Sequence, residues 1–499
     1  MTTLAEHARR RPHALAIVDR EDRCTYLELY ERASRLAALL SSRYHVAGAS
    51  RVAASLPNSI EHAVLIHALR MLDATVVPIN VRLTPTEVHA CLRVARPALI
   101  LGVRSRKPGA GSGHAPPEPL AAFGIQTSDF RLPHSSISSG VRASSPRPAP
   151  VHSISPAAIV FTSGSSGDPK PVPLTAANIE AAIAASAGHL GMREDDNWLC
   201  PIPLYHVGGL SALLRSAAAG TCVTLFSGGG AGEMLRAFRE NGITLASLVP
   251  TMLQRLLDGE DAFAAAALPA LRAILLGGGP ADLRLLDEAA ERGLPVLSTY
   301  GLTEASSQVA TMSLADAAWK RGSAGRPLPG VRISIRNDGG ETLPPGAQGS
   351  IWISGANVVD GYLDGRLPER FSAGWFDTRD IGCMDGEGFL WIDARREDLI
   401  LSGGENVTPA EVEQVLRSHP SIIEACVAGV PDAEWGQLVA AAIVVKEPDP
   451  AIREIEAHCR RFLAGYKIPK RWKVVAELPK TETGKILRRQ IAALLSDSL

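Results

Sequence analysis

A short loop rich in glycine and hydroxyl side chains is the part of this sequence best suited to chemistry. It follows the apolar run Ala157–Phe161 and consists of Thr162, Ser163, Gly164, Ser165, Ser166, Gly167, Asp168, Pro169 and Lys170. Glycine lets backbone N–H groups approach an anion closely, the hydroxyls add donors, and the lysine supplies positive charge. A Walker A loop has Ser or Thr directly after its lysine, whereas Pro171 follows here. The loop therefore predicts a phosphate site of another type, with a plain Gly/Ser hairpin as the alternative.

Two further segments place ligand-binding residue types directly after apolar runs. The run Ala273–Leu276 leads into Gly277, Gly278, Gly279 and Pro280. Three glycines let a flat ring or a ligand backbone come close, although a tight turn explains them equally well. The run Val296–Ser298 leads into Thr299, Tyr300, Gly301, Leu302, Thr303 and Glu304. This second segment offers an aromatic face, hydroxyls and a carboxylate suited to Mg²⁺, while its last two residues alone are also typical of a helix start.

Charged side chains in two later segments suit other parts of a phosphorylated ligand. Within Asp377–Gly382, the Asp380 carboxylate suits sugar hydroxyls, and Arg395 further along the chain suits a phosphate. Lys485 directly follows Gly484, on a predicted turn before a basic helix. A solvated turn and a solvated helix start are the respective alternatives.

His206 is a candidate for contact with a substrate. It lies between an apolar turn, Pro203–Tyr205, and the two glycines Gly208 and Gly209. A single histidine in such a setting is more often a satisfied core residue. Both interpretations stay open at the level of the sequence.

Helical and strand patterns alternate along the chain around these segments. Apolar residues recur at helical spacing in three stretches, which are Tyr26–Tyr44, Ile60–Met71 and Pro85–Val94. Short apolar runs typical of buried strands lie between and after them, at Arg51–Leu56, Ala74–Pro78, Pro97–Gly102, Thr221–Phe226 and Leu245–Val249. This alternation predicts layered α/β sheets. Residues 104–150 are rich in Ser, Pro, Gly and Arg, and we expect them to form a variable insert or connection.

The remainder of the chain divides by composition into two smaller units. Val331–Ser354 contains short strands with Gly/Pro turns and predicts a small β-rich subdomain. A charged cluster, Arg395–Asp398, precedes Ser402, Gly403 and Gly404 and predicts a hinge. Beyond it, about a hundred residues carry helix and strand patterns sufficient for a small α+β domain. We therefore predict a large N-terminal domain at residues 1–397 and a small mobile C-terminal domain at residues 398–499.

Composition excludes several classes of protein. The chain has 499 residues, 46% of them hydrophobic, and a formal net charge of -1, so it offers no basic field for nucleic acid or for a membrane surface. No apolar run of about 18 residues predicts a membrane span, and no signal peptide is predicted at the amino terminus. The 7 cysteines lie far apart, without a CxxC pair, which disfavours zinc sites and disulfides and favours reduced thiols in the cytoplasm. A GxSxG elbow and a GxGxxG fingerprint are absent from the sequence, and the oligomeric state is not predicted.

The order of these motifs resembles that of the adenylate-forming enzymes, a family that includes acyl- and aryl-CoA synthetases, luciferases and peptide-synthetase adenylation domains. TSGSSGDPKPVPLT is similar to the family's phosphate loop, YGLTEAS to its adenine and magnesium segment, and GWFDTRDIG to its ribose segment. DARREDLILSGGENVTPAEVE resembles the hinge and pantetheine region, and PKTETGKILRR the loop of the catalytic lysine. The resemblance covers nearly the whole chain.

This resemblance implies a role for each motif. Thr162 to Lys170 would hold the β- and γ-phosphates of ATP, and Gly277 to Pro280 with Thr299 to Leu302 would enclose the adenine and the acyl group. Thr303 and Glu304 would bind phosphate and Mg²⁺, Asp380 the ribose, and Arg395 ribose and phosphate. Asp398 would be the hinge, Ser402, Gly403 and Gly404 would lie in the pantetheine region, and Lys485 would be the adenylation catalyst. Coenzyme A would be the cosubstrate.

Two residues depart from the family's pattern beside functional atoms. Pro171 stands where the family usually has glycine after the loop lysine, and Arg379 stands where glycine commonly precedes the ribose aspartate. A non-catalytic nucleotide-binding homologue is therefore an alternative to an active enzyme. The presence of Lys485, Glu304 and Asp380 argues against it.

Within the family, several stretches are most similar to the o-succinylbenzoate-CoA ligases of menaquinone biosynthesis, among them PLYHVGGLSALLRS and YGLTEASSQVAT. That acid has two carboxylates, of which only one reacts, so the other must be tolerated in a mostly apolar pocket. His206, Gly209, Ser211 and Arg215 are the candidate substrate residues. Arg215 is either the partner of the second carboxylate or an ordinary surface arginine. A broad aryl- or fatty-acyl-CoA synthetase is the alternative activity, and a peptide-synthetase module is disfavoured because no carrier domain follows.

Overall fold

The computed structural model describes most of the chain. The described residues are 3–20, 22–102, 155–162, 169–259, 263–279, 281–395, 398–402, 405–432, 435–446, 451–463, 465–481, 484 and 486–496. The predicted insert or connection at residues 104–150 lies outside them.

The strands and helices of the larger part of the chain are numbered in chain order. Its strands are β1 Leu15–Asp19, β2 Asp22–Thr25, β3 Arg51–Ser55, β4 Thr75–Pro78, β5 Leu99–Gly102, β6 Ala158–Thr162, β7 Lys170–Leu174, β8 Asn197–Cys200, β9 Cys222–Leu225, β10 Leu245–Leu248, β11 Ala273–Leu276, β12 Val296–Leu302, β13 Ser307–Thr311, β14 Arg326–Pro327, β15 Arg332–Arg336, β16 Gly349–Ser354, β17 Phe371–Ser372, β18 Trp375–Met384 and β19 Leu390–Arg395. Its helices are α1 Leu4–Arg10, α2 Tyr26–Tyr44, α3 Ile60–Met71, α4 Pro85–Ala95, α5 Ala176–Leu190, α6 Val207–Ala219, α7 Ala231–Glu240, α8 Pro250–Gly259, α9 Leu283–Glu291 and α10 Leu314–Ala317.

The last hundred residues form further elements. These are β20 Ile400–Ser402, β21 Glu405–Val407, α11 Pro409–Arg417, β22 Ile422–Asp432, β23 Gly436–Val445, α12 Ile452–Cys459, β24 Arg471–Val474 and α13 Arg488–Ser496.

Two α/β sheets form the centre of the molecule. The larger has the order β14-β13-β12-β11-β10-β8-β9-β1-β2, and its strands from β12 to β1 run parallel. The smaller has the order β5-β3-β4-β6-β7, with only β7 antiparallel to its neighbour. Parallel strands buried on both faces need helices as crossovers, and a shared core packs α2, α3, α5 and α6 between the two sheets. A second core covers the other face of the larger sheet with α7, α8 and α9.

Several helices begin at the polar residue that the sequence places before them. Thr25, Thr84 and Thr175 each accept a hydrogen bond from a backbone N–H in the first turn, and Glu28, Glu87 and Asn178 bond back to the cap. Such reciprocal caps satisfy two backbone donors that no helical carbonyl can reach. The predicted helix Tyr26–Tyr44 therefore has the bounds found in the structure.

A separate antiparallel sheet follows the larger sheet in the chain. It joins β15, β16, β18 and β17 in that order, with β19 on β18, and its inner face packs around Ile351, Ile353 and Phe376. This sheet contains the predicted β-rich segment Val331–Ser354.

The last hundred residues form a sheet with cores of their own. Its order is β21-β20-β23-β22, with β24 parallel to β23. One face packs against α11 and α12, and the other packs against α13. The predicted α/β fold class is confirmed. The division at residues 397 and 398, and the mobility of the smaller part, stay predictions.

None of the described helices is long and apolar enough to cross a membrane. All 7 cysteines lie in the described residues and are free thiols, and only Cys383 is partly exposed. Burial raises the pKa of Cys200 and Cys426 to about 12.

Candidate active site

The predicted phosphate loop connects two antiparallel strands. Thr162 at the end of β6 pairs with Lys170 at the start of β7, so the loop is the tip of a hairpin. Ser163, Gly164, Ser165, Ser166 and Gly167 lie outside the described residues. Because the loop itself lies outside the described residues, its predicted phosphate ligand and the alternative without a ligand both stay predictions.

The position of Pro171 explains why a proline is tolerated after the loop. It lies in β7, at the edge of its sheet, opposite Phe161. Proline has no N–H for a sheet ladder, and at an edge no strand on the outer side requires one. Its carbonyl accepts a hydrogen bond from the N–H of Leu363 at 3.0 Å. The departure from glycine is therefore compatible with an intact hairpin.

Parallel strands of the larger sheet bring the other segments to one edge. β8, β10, β11 and β12 run parallel, so their carboxyl ends meet at the same side. The chain that follows β8 reaches His206, the chain after β11 contains Gly277, Gly278 and Gly279, and the end of β12 contains Thr299 to Leu302. Pro280 lies outside the described residues. Ligands of open α/β sheets bind at this edge, which makes it the candidate site.

Close backbone contacts require glycine at two positions of this edge. A Cβ atom on Gly277 would lie 2.8 Å from Cγ2 of Thr299, and one on Gly301 would lie 2.0 Å from the carbonyl oxygen of Ser307. The hydroxyl of Thr299 lies 2.8 Å from that of Thr311 and donates to the carbonyl of Ala310 at 3.1 Å. The strand end and the glycine turn are therefore packed directly against each other.

Glu304 occupies a buried turn directly after β12. Thr303–Ala305 form a short 3-10 helix with Glu304 in its first turn, as the alternative suggested, but its cap is Leu302 and not Thr303. The Glu304 side chain is 7% exposed, and its Oε1 accepts a hydrogen bond from the hydroxyl of Tyr362 at 2.6 Å. Burial beside this carboxylate raises the pKa of the tyrosine.

The carboxylate of Glu304 fits a divalent cation. Among the described residues, no lysine or arginine forms an ion pair with it. A buried carboxylate whose charge has no basic partner is costly, and hard oxygen donors are the ligands that Mg²⁺ prefers. Glu304 is thus suited to hold Mg²⁺, as the sequence predicted.

Tyr300 and Asp380 join the predicted adenine and ribose segments. The hydroxyl of Tyr300 donates to Oδ2 of Asp380 at 2.5 Å, and the Asp380 side chain is buried. The backbone of Asp380 in β18 pairs with that of Arg395 in β19. The side chain of Arg395 lies outside the part that the structure describes.

Arg379, the second departure from the family's pattern, has a left-handed backbone with φ of 63°. This region favours glycine because a Cβ atom crowds the following carbonyl. The N–H of Arg379 donates to Oδ1 of Asp377 at 2.9 Å, which closes the turn. The turn needs a positive φ at this place, which explains why the family's pattern has glycine there.

His206 caps the amino terminus of α6 without using its side chain as a cap. Its ring lies 4.9 Å from that of Tyr205, centre to centre, and burial lowers the pKa of His206. The neutral imidazole is therefore favoured. A Cβ atom on Gly209 would lie 2.4 Å from the carbonyl oxygens of Ile202 and Pro203, so glycine lets the helix pack against the preceding loop.

Arg215 is a buried arginine, which rules out the alternative of a surface residue. Its side chain is 3% exposed, stacks on the Trp198 ring with Cζ 4.7 Å from the centre, and donates from Nη2 to the Ser211 hydroxyl at 2.9 Å. Its Nε is buried without a hydrogen-bond partner, and no carboxylate of the described residues pairs with it. Burial lowers the pKa of Arg215 to about 10.

The predicted hinge and lysine loop lie in the smaller part of the chain. The carboxylate of Asp398 lies 3.6 Å from Nε of Arg488, which also pairs with the buried Glu413. Ser402 is buried in β20, while Gly403, Gly404 and Lys485 lie outside the described residues. Gly484, the neighbour of this lysine, has φ of 76° and packs against Thr251 in α8.

Sequence reasoning missed side chains that hold the site segments in place. Asn58 accepts from the N–H of Leu204 at 2.7 Å and donates to the carbonyl of Ile202 at 3.0 Å, so it fixes the loop before His206. Tyr362, described above, is another. Neither belongs to a motif that suggests chemistry, because their role depends on contacts between segments far apart in the chain.

Comparisons with known proteins agree on one family. The AMP-binding enzyme family matches residues 4–363, and the C-terminal domain of AMP-binding enzymes matches residues 411–485. The 2-succinylbenzoate--CoA ligase of Bacillus licheniformis is 36% identical over 492 residues, which are 98% of this chain and 98% of that protein.

Solved structures give the same result. The o-succinylbenzoate CoA synthetase from Bacillus subtilis in complex with the acyl-adenylate intermediate OSB-AMP is similar with a TM-score of 0.85 and 33% identity, over 98% of this chain and 97% of that chain. The same synthetase in complex with ATP and magnesium ion is similar with a TM-score of 0.84 and 34% identity, over 98% of both chains.

Proposed function

Because the chain belongs to the AMP-binding enzyme family, we propose that it is an AMP-forming acid-CoA ligase whose acid is o-succinylbenzoate. The relatives above that share a third or more of its sequence are named for this acid. The proposed reaction uses ATP and coenzyme A and belongs to menaquinone biosynthesis. A ligase of this kind joins a carboxylate to a thiol through an acyl-adenylate.

The first half-reaction activates the acid. A carboxylate oxygen attacks the α-phosphorus of ATP, a new P–O bond forms, and the bond to pyrophosphate breaks. Negative charge accumulates between the carboxylate and the α-phosphate. A preorganised cation stabilises such charge, typically by about 3 kcal/mol. We assign this role to Lys485, as the family resemblance implies.

The second half-reaction transfers the acyl group. The thiolate of coenzyme A attacks the carbonyl carbon of the acyl-adenylate, a C–S bond forms, and AMP leaves with the electron pair of the broken C–O bond. The carboxylate alone has no comparable leaving group and repels a thiolate. Activation by AMP is therefore what makes thioester formation feasible.

Residues at the carboxyl edge of the larger sheet are suited to hold the nucleotide. A Cβ atom on Gly279 would meet nothing within 4 Å, so this glycine leaves space for a flat ring at the same edge, and the buried Asp380 suits the ribose hydroxyls. Thr162 and Lys170, at the base of the hairpin, hold the loop that is assigned to the β- and γ-phosphates. Glu304, with Thr303 beside it, would hold Mg²⁺, which supplies positive charge to the phosphates when bound.

The burial of Arg215 without an acidic partner is the observation that supports this choice of acid. A buried guanidinium without an acidic partner costs several kcal/mol, and a second carboxylate on the substrate would recover that cost. Arg215 lies on α6, two turns after His206, on the side of the helix that also carries Ser211. A monocarboxylic acid would leave this charge uncompensated, whereas o-succinylbenzoate brings its counterion.

A cytoplasmic location is part of the proposal. It is supported by 7 free cysteines, most of them buried, in a chain without a disulfide among its described residues. The cosubstrates ATP and coenzyme A are also intracellular metabolites.

Exchange of labelled pyrophosphate into ATP, measured acid by acid, tests the proposed substrate. The panel contains o-succinylbenzoate, 4-oxo-4-phenylbutanoate and 2-butanoylbenzoate, of which the last two each lack one carboxylate, together with benzoate and a fatty acid. We expect o-succinylbenzoate to have the highest kcat/KM. Preferred turnover of benzoate or the fatty acid would instead indicate a broad aryl- or fatty-acyl-CoA synthetase. Absence of exchange with every acid would indicate a non-catalytic homologue.

Substitution of Arg215 separates charge recognition from damage to the fold. Arg215→Met keeps a long side chain against Trp198 but removes the charge, and we expect it to lower kcat/KM for o-succinylbenzoate by roughly one to three orders of magnitude. Exchange with a monocarboxylic analogue, which has no second charge for Arg215 to bind, should change little. Ser211→Ala, which removes only the hydrogen bond to Arg215, is the matched control and should cost less. Equal losses on both acids would contradict a role in charge recognition.

A further inference from the structure

Three buried side chains form a hydrogen-bonded row beside the candidate magnesium ligand. The hydroxyl of Tyr362 donates to Oε1 of Glu304 at 2.6 Å and accepts from Nη1 of Arg370 at 2.9 Å. Their exposures are 1% for Tyr362, 7% for Glu304 and 8% for Arg370. A tyrosine hydroxyl has one proton, so the donor from the arginine fixes the direction in which that proton points. The proton is therefore held toward the carboxylate.

The other nitrogens of Arg370 bind the backbone of the ribose segment. Nε donates to the carbonyl of Asp377 at 2.9 Å, and Nη2 donates to the carbonyl of Thr378 at 3.1 Å. The hydroxyl of Thr378 in turn accepts from the N–H of Asp380 at 3.1 Å. One planar guanidinium thus contacts the strand that carries Asp380 and, through Tyr362, the turn that carries Glu304.

Packing leaves this guanidinium few other arrangements. It lies on the ring of Phe376, with Cζ 4.6 Å from the ring centre, at the start of the same strand β18. Among the described residues, Arg370 forms no ion pair, so the nearest acid in its network is Glu304, one hydroxyl away. A buried hydrogen-bonded network of this kind resists rearrangement because each broken bond leaves a buried polar group unpaired.

We propose that Tyr362 and Arg370 are positioning residues that orient the magnesium ligand Glu304 and fix its distance from the ribose-binding Asp380. The inference rests on the proposed function only in taking ATP and Mg²⁺ as ligands. Within this network, Tyr362 acts on the metal site alone, whereas Arg370 acts on the metal site and on the ribose segment. The effects of the two residues can therefore be distinguished by comparing the binding of MgATP with the binding of metal-free AMP.

Nucleotide binding measured by calorimetry tests the assignment without any catalysis. Tyr362→Phe removes only the hydroxyl, and we expect it to weaken binding of MgATP by about 3- to 30-fold while binding of AMP without Mg²⁺ changes less than about twofold. This range corresponds to about 0.7 to 2 kcal/mol, which extends from the net contribution of an ordinary hydrogen bond to the lower values for one made to a charged group. Arg370→Lys keeps the charge but cannot make three planar contacts, and we expect it to weaken both MgATP and metal-free AMP.

Tyr26→Phe is the matched control. Its hydroxyl is also buried and donates to the carbonyls of Ser216 at 3.1 Å and Thr221 at 2.8 Å, neither of which is assigned to the nucleotide or to Mg²⁺. Both phenylalanine variants should lower the thermal midpoint by similar amounts. Only Tyr362→Phe should raise the Mg²⁺ concentration required for half-maximal MgATP binding.

Two results would overturn the proposal. One is a Tyr362→Phe protein whose Mg²⁺ requirement matches that of Tyr26→Phe. The other is an Arg370→Lys protein that is folded by circular dichroism and binds metal-free AMP as the parent does. Failure of the proposed acid specificity would change neither measurement, since no acid is present in either.

Discussion

Arg379 shows at the level of one residue how a departure from a family pattern is accommodated. Its left-handed backbone costs an L-residue about 1 kcal/mol relative to glycine, and the turn before Asp380 requires this conformation. Its side chain is 41% exposed and lies 3.8 Å from the Asp377 carboxylate, so this ion pair contributes little to the stability of the fold. The turn itself is fixed by the network around Thr378 and Asp380 and not by the arginine.

Arg379→Gly is therefore expected to preserve nucleotide binding and to leave stability within about 1 kcal/mol of the parent, because relief of the left-handed strain offsets the greater freedom of glycine in the unfolded chain. Arg379→Val should destabilise by more, since a β-branched side chain is least tolerated at positive φ. Urea midpoints and AMP titrations of the two variants check this order. A valine variant as stable as the glycine variant would contradict the observed backbone.

Lys485 stays a prediction from the sequence, and its role can be separated by half-reaction. Lys485→Ala should reduce pyrophosphate exchange by about two orders of magnitude or more, while attack of coenzyme A on supplied acyl-adenylate is largely spared. Only the first step builds charge at the α-phosphate. Equal loss of both half-reactions would show that the lysine supports the structure of its loop.

Among the elements, α3 carries two buried histidines that the proposed chemistry does not use. His62 and His67 are both buried, and the Nε2 atom of each has no hydrogen-bond partner. Burial lowers the pKa of His62 to about 4 and that of His67 to about 3. The unfolded chain therefore binds protons below about pH 6.5 that the folded chain does not bind until much lower pH.

This difference makes the fold less stable as the pH falls below about 6.5, by about 1.4 kcal/mol per pH unit for each histidine until the folded pKa is reached. His67→Leu removes one such group without removing a paired hydrogen bond at Nε2. We expect the variant to lose about 1.4 kcal/mol less than the parent between pH 7.5 and 5.5. Denaturant midpoints at the two pH values measure this, with the exposed His13→Leu as the control for removal of an imidazole. Parallel losses in parent and variant would contradict a neutral buried His67.

Elements with strong local signals could be predicted from the sequence, and those that depend on distant partners could not. The capping box and apolar spacing of α2 gave both of its ends. β12, in contrast, extends to Leu302 rather than ending near Ser298, because its last residues pair with β13, which comes later in the chain. Likewise α6 begins at Val207 and contains Gly208 and Gly209 in its first turn, where the sequence gives no helix signal.

The same distinction applies to the candidate site. Residues on glycine-rich loops and strand ends could be identified by type and order, which gave Glu304, Asp380 and His206. Tyr362 and Arg370 could not be identified in this way. The partner of Tyr362, Glu304, is more than fifty positions away in the sequence, and Arg370 binds backbone carbonyls, which every residue type provides. The burial of Arg215 also depends on tertiary packing against Trp198.

At the scale of the molecule, side-chain contacts join the smaller part of the chain to the larger part. Gly484, the residue before Lys485 in the sequence, packs against Thr251 of the larger part. Arg417 in α11 donates from Nε to Oδ2 of Asp282 at 2.6 Å. Asp282 is the residue directly before α9. If Asp398 is the hinge, as the sequence predicts, this ion pair joins the parts on its two sides, and we expect it to favour the half-reaction that uses the observed orientation.

Asp282→Asn should shift the balance between the half-reactions. Asparagine keeps the Oδ1 atom that caps α9. Its amide nitrogen replaces Oδ2 and cannot accept the hydrogen bond from Arg417. Because a partly exposed ion pair contributes at most about 1 kcal/mol, we expect pyrophosphate exchange to fall about two- to fivefold while attack of coenzyme A on supplied acyl-adenylate is unchanged or faster.

Asp287→Asn is the control on the same helix, since its partner Arg321 lies in the larger part as well. It should leave both half-reactions at their parent rates. If Asp282→Asn slowed the two steps by the same factor, the contact would serve stability and not orientation.

The burial of the cysteines has a practical consequence for measuring the second half-reaction. Six of the 7 protein thiols are covered by the fold, and burial raises the pKa of three of them, Cys200, Cys222 and Cys426, to about 12, so they are poor nucleophiles at neutral pH. A thiol-reactive chromophore such as DTNB should therefore react with free coenzyme A and, on the native protein, with Cys383 at most. Thioester formation can then be followed in timed samples as loss of dye-reactive sulfhydryl, with a background of at most one equivalent per chain. The further equivalents that react only after denaturant is added count the thiols that the fold had protected.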